Sequence, residues 1–191
     1  MKKRYIVGDW NMKQTDEIMA FAKAAGASGT ADIELAQIVF DETLRKSCEM
    51  NSCGNFKRNW MCPPYCGEIS ECIAKAKQYT KGVVLQYIGE LEDSYDFEGM
   101  MDAAEAFQKM FIKTVHYVRT LGWDIYPLGA GGCRNCEHCA VIDGVPCRHP
   151  EDAFPSLESH GIFVSELAQK SGMNYINGQN TVTYFGAILY R

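Results

Sequence analysis

Eight of the nine cysteines in this chain fall in two blocks of four. Cys48, Cys53, Cys62 and Cys66 form the first, Cys133, Cys136, Cys139 and Cys147 the second, and only Cys72 stands apart. A disulfide framework is expected in small secreted chains that cannot build a core. This chain has 191 residues, 47% of them hydrophobic, enough for one ordinary core. Its start, Met1-Lys2-Lys3-Arg4-Tyr5-Ile6-Val7-Gly8-Asp9-Trp10, is basic without the apolar run of an export signal. The thiols are therefore read as metal ligands in a cytoplasmic protein.

The second block opens as Cys133-Arg134-Asn135-Cys136-Glu137-His138-Cys139, a C-x2-C-x2-C run. That spacing brings three thiolates onto one iron–sulfur cubane while the intervening amides turn toward sulfur. Cys147 follows Pro146 and is a looser match for the fourth ligand. Zinc, a cubane completed by a cysteine from elsewhere and unligated thiols are the alternatives, zinc being disfavoured because its structural sites usually pair two separate knuckles. Gly129-Ala130-Gly131-Gly132 precedes the run. It resembles a phosphate-binding turn superficially, but no helix follows, and its glycines instead let backbone amides approach a centre.

The first block, Cys48-x4-Cys53-x8-Cys62-x3-Cys66, suits either a cubane or tetrahedral zinc. Pro63-Pro64 forbids regular helix around Cys62, so the block is expected on irregular chain with the Cys62 region extended. Lys57, Arg58 and Trp60 lie between its cysteines. They read as solvated cations and an indole packed over the site, with steering of an acidic partner as the functional alternative. His138 and His149 are lesser ligand candidates, and His116 is read as solvated on a helix face. Arg148 is read as hydrogen-bonding near Cys147, with a substrate carboxylate as its alternative partner. Cys72 is read as an ordinary buried thiol.

Apolar periodicity predicts helices over residues 14–26, 68–79, 97–121 and 164–170, with Gly122 and Gly172 ending the last two. Strands are predicted over 33–40, 82–88, 123–128 and 181–190. The second cysteine block thus begins where a strand ends. The whole reads as a single domain over 1–191, α+β or small α/β, with about four strands, flanking helices and cysteine-rich metal loops at one end. Strand order is not legible at this level.

Two segments carry a likeness: Cys53-Gly54-Asn55-Phe56-Lys57-Arg58-Asn59-Trp60-Met61-Cys62-Pro63-Pro64, and Leu128-Gly129-Ala130-Gly131-Gly132-Cys133 running on through Cys139 to Pro146-Cys147-Arg148-His149-Pro150. With Pro155-Ser156-Leu157-Glu158 and Val182-Thr183-Tyr184-Phe185, they make the chain resemble the uncharacterised cysteine-rich "predicted metal-binding proteins" of anaerobic bacteria and archaea. The resemblance implies metal binding through these cysteines and an anaerobic setting suited to oxygen-sensitive clusters. It does not choose the metal.

A net charge of -5 leaves no basic footprint for nucleic acid, and no stretch is long enough to span a bilayer, so neither is an expected partner. Radical-chemistry C-x3-C-x2-C, G-x-S-x-G and Walker motifs are absent from the sequence. The leading expectation is two [4Fe-4S] clusters held by the eight cysteines, exchanging electrons with a redox partner protein or activating a cofactor enzyme. Two alternatives stand beside it: an enzyme whose cluster keeps an open iron for substrate, and a non-catalytic adaptor or sensor folded around structural zinc.

Overall fold

A computed structural model describes residues 7–191, with side chains from Thr15 onward; the basic start Met1–Arg4 lies outside the described residues. Among the described residues the chain forms five helices and one antiparallel sheet of four strands in the order β1-β2-β4-β3. The strands are β1 (Gly29–Glu34), β2 (Lys81–Glu90), β3 (Ile125–Leu128) and β4 (Thr181–Tyr190). The helices are α1 (Val7–Ala25), α2 (Leu44–Glu49), α3 (Ile69–Ala76), α4 (Phe97–Thr120) and α5 (Val164–Lys170). This is a mixed α+β domain. No helix among the described residues is long and apolar enough to cross a membrane.

Both faces of the sheet are covered, which is why its central strands are apolar at nearly every position. On one face Val83, Leu85, Ile188 and Tyr190 pack against Ile18 and Ala22 of α1 and Phe107, Phe111, Val115 and Val118 of α4. On the other, Val84, Phe185, Ala187 and Leu189 meet Ala76 of α3, Leu167 and Ala168 of α5, and the loop residues Leu157 and Ile162. Asp96 caps α4 by accepting from the Gly99 N–H at 2.8 Å. Gly122, at φ +75°, ends it in the left-handed conformation that costs glycine least.

The helix boundaries predicted for α4 and α5 and the strand limits of β4 agree with the structure to within a residue. Three local expectations need correction. The strand expected over 33–40 is β1 only as far as Glu34. There the Glu34 N–H donates to Gln37 Oε1 at 3.1 Å and the chain turns into a 3-10 helix, Leu35–Gln37, before Phe40 rejoins Ile162 in a single bridge. Cys48 sits in α2 and not on irregular chain. The Cys62 region is a turn and not extended, since the Cys66 N–H reaches Cys62 O at 3.1 Å and the Gly67 N–H reaches Pro64 O at 3.0 Å. Pro63 and Pro64 lack donors, so the amides that follow them close the turn.

Candidate metal centre

β3 ends at Leu128, and the chain then runs through Gly129–Gly132 into the second cysteine block. This loop is held from two sides. The Gly129 N–H donates to Pro155 O at 2.8 Å and the Leu157 N–H to Gly129 O at 3.1 Å, which ties it to the 155–158 segment. From the other side the first block folds onto it. Asn55 packs so closely on Gly132 that a Cβ there would stand 2.6 Å from the Asn55 side chain. A side chain at this position would push the Asn55 amide aside.

The residues between Cys53 and Cys62 lock the two blocks together. Asn59, only 4% exposed, donates from Nδ2 to Cys133 O at 2.9 Å, and its Oδ1 accepts from the Met61 N–H at 3.0 Å. The Trp60 N–H points at Cys139 Sγ across 3.4 Å, while its indole N–H donates to Val145 O at 3.1 Å. All four cysteines of the second block border one small cavity of about 20 Å³, shared with Asn59, Trp60 and Arg148. Cys147, the loosest sequence match, therefore joins its three partners. His138 and His149 border a different space, a solvent-open cleft of about 690 Å³ with Arg58 and Cys136 on its walls.

In the first block Cys62 is buried. Burial, followed by the like charges of Cys53, Cys48, Cys133 and Cys139, pushes it up to about 12. It lies within electrostatic reach of Cys133 and Cys139 in the second block as well as Cys53 and Cys48 in its own. Cys133 is pushed up to about 11, again by burial and then by Cys147, Cys139 and Cys136 against the opposing backbone N–H of Asn135. Cys48 is raised by burial, with Arg45 opposing. Clustered, desolvated thiols resist ionising together unless a cation offsets their charge. A soft metal supplies that charge and is the natural complement of an all-sulfur donor set.

Among the described residues, no three His, Cys, Asp or Glu side chains already stand in the geometry of a metal cage. The donor chemistry fits a thiophilic centre. The thiols would have to rotate toward it, and a four-iron cluster would have to widen the 20 Å³ cavity.

Several residues that sequence reasoning treated as bland have definite partners. His116 Nε2 pairs with Asp152 at 2.6 Å instead of being merely solvated. Arg148 donates to His138 O at 2.9 Å and pairs with Asp143 at 3.1 Å, bracing the second loop. Cys72 is buried on α3 as expected, but its thiol donates to Cys66 O at 3.3 Å and Arg45 Nη2 stands 3.9 Å from its Sγ. Cys72 is shifted low and Cys66 high, each first by the interaction between the two side chains, with the charge of Arg45 lowering both. Burial raises the Glu158 carboxyl, whose Oε2 is buried and has no hydrogen-bond partner among the described residues. Only the Pro155–Glu158 segment, part of the motif set above, gave any signal for this second layer.

A family model described as predicted metal-binding protein (DUF2284) matches residues 31–190, a span that contains all nine cysteines. No curated protein matches the chain, and no solved structure does.

Proposed function

The chain belongs to this family of predicted metal-binding proteins, and on that footing we propose that it holds two iron–sulfur centres, one per cysteine block, and serves in electron transfer or in reductive activation of a partner. The observation that carries the reading is the Trp60 N–H directed at Cys139 Sγ within a C-x2-C-x2-C loop. An amide donor on a ligand sulfur stabilises the more negative, reduced state and so raises the potential of an iron–sulfur centre. [4Fe-4S] clusters, when bound, supply one-electron chemistry.

The protein's own residues do the rest. Cys133, Cys136, Cys139 and Cys147 would hold the second centre, and Cys48, Cys53, Cys62 and Cys66 the first. Asn59 fixes one loop against the other through Cys133 O. Buried Cys62, between the blocks, would put the two centres side by side, as electron passage from one to the other requires. Exposed Lys57 and Arg58, between Cys53 and Cys62 of the first block, offer a cationic face to an acidic redox partner, a protein or cofactor enzyme.

The small volume of the cavity at the second block favours one other reading. About 20 Å³ is nearer the size of a single ion than of a cubane, which, once the thiols turn inward, suits structural zinc and a non-catalytic adaptor or sensor.

Purification without oxygen, with iron, sulfide and zinc counted per chain and visible and paramagnetic resonance spectra recorded before and after dithionite, decides between them. Two cubanes predict about eight irons and eight sulfides and a reducible signal. Stoichiometric zinc without colour would overturn the redox reading and leave the adaptor.

A further inference from the structure

The short 3-10 helix Glu158–His160 is fastened on two sides. The Leu157 N–H donates to Gly129 O at 3.1 Å, which ties it to the glycine loop that leads into Cys133. On the other side the Asp41 N–H donates to Gly161 O at 2.7 Å and Arg45 Nη2 donates to Ser159 O at 3.3 Å, which ties it to α2 and the residues before it. Arg45 and Cys48 stand three residues apart on α2 and so share a face. Glu158 therefore lies where the helix that carries Cys48 meets the segment braced against the second block.

Two charged side chains at this contact each leave one buried atom unanswered. Arg45 uses Nη2 on Gly67 O at 3.0 Å and on Ser159 O, but its Nε–H is buried with no acceptor among the described residues. Glu158 Oε2 is likewise buried with no donor, and the two atoms do not answer one another. A buried charged group without a partner is costly, so each of these atoms calls for one of opposite character. A water molecule would answer either hydrogen bond but neutralise neither charge. A metal–thiolate centre does both: its cation takes a carboxylate oxygen, and its anionic sulfurs accept an N–H.

We propose that Glu158 is an oxygen ligand of the first metal centre. The Arg45 Nε–H then has the thiolates of the same centre as its acceptors. The charges of both side chains reach Cys48, Arg45 lowering it and Glu158 raising it, as groups beside that thiol should. The donor set of the first centre is mixed, with a hard oxygen among soft thiols, and so differs from the all-sulfur set of the second block. The inference rests on metal binding by the first block, whichever metal is held there.

Cadmium-113 resonance tests it, because the signal moves upfield as oxygen replaces sulfur among the donors. The metal-free chain is saturated with cadmium under exclusion of oxygen, and Cys53→Ser identifies the resonance of the first block. Wild type should give one all-sulfur resonance from the second block and one upfield of it from the first. Glu158→Leu should shift or abolish the upfield resonance and leave the other in place, which also reports that the chain is folded. Two all-sulfur resonances in wild type, or an upfield resonance that Glu158→Leu leaves unchanged, would overturn the inference while metal binding stands. If Glu158→Leu loses both resonances through misfolding, the isosteric Glu158→Gln is read by the same criterion. A wild-type chain with no cadmium at the first block would overturn metal binding there and this inference together.

Discussion

The Trp60 amide stands 3.4 Å from Cys139 Sγ, so a donor from the first cysteine block rests on a sulfur of the second. Residues 67–132 separate the two blocks along the chain, yet the blocks share hydrogen bonds and a common electrostatic neighbourhood centred on Cys62.

That centrality sets an unequal outcome for two substitutions in one block. Cys62→Ser should lower the metal held by both blocks, because Cys62 is buried and within reach of Cys133 and Cys139 as well as Cys48 and Cys53. Cys53→Ser, at an exposed position, should affect the first block alone. Metal per chain, resolved by native mass spectrometry under exclusion of oxygen, separates the two. Equal losses would refute the shared role of Cys62.

The metal-free chain should lose stability in alkali. Cys62 is raised from 9.0 to about 12 and Cys133 from 9.0 to about 11, so each contributes stability that is fully present below pH 9 and lost as the pH climbs through its folded value. For Cys62 the loss amounts to about 4 kcal/mol when complete. Urea unfolding from pH 8 upward should show the decline, and Cys62→Ser should blunt it. A decline of the same size in the serine variant would assign it to other groups.

Asn59→Ala should cost about 1–3 kcal/mol, since it leaves Cys133 O and the Met61 N–H without their buried partner. Chemical denaturation of the metal-free variant measures it, which keeps metal affinity out of the comparison. A cost near zero would mean that the two blocks do not depend on this bridge.

Gly186→Ala tests the sheet. A Cβ there would stand 2.7 Å from the Phe111 ring and 3.0 Å from Leu128 O, between α4 and the strand that delivers the second block. Overpacking of this kind costs about 1–3 kcal/mol. The denaturation midpoint should fall accordingly, and an unchanged midpoint would show that α4 can shift away.

Much of the scaffold was legible because periodicity is local. The apolar stripe of α4 and the length of β4 follow from residues three or four apart and from one covered strand, and Gly122 marks its own helix end. Boundaries failed where a side chain intervened, as at Glu34 and Gln37, or where prolines shifted the work of closing a turn to the amides after them. Cys72 was legible as buried, but not as a neighbour of Arg45, because Arg45 lies 27 residues earlier on another helix.

Read without the fold, the residues already set the donor chemistry: eight thiols in two spaced blocks, which ask for a soft cation however the chain is arranged. The folded chain added that the blocks adjoin, that Cys147 joins the cavity of Cys133, Cys136 and Cys139, and that Arg45, His160 and Glu158 gather behind the first block. The difference is one of range. Spacing fixes what thiolates can do within a loop, whereas the charge felt at Cys62 and the amide that faces Cys139 depend on how the sheet and its covering helices bring distant loops into contact.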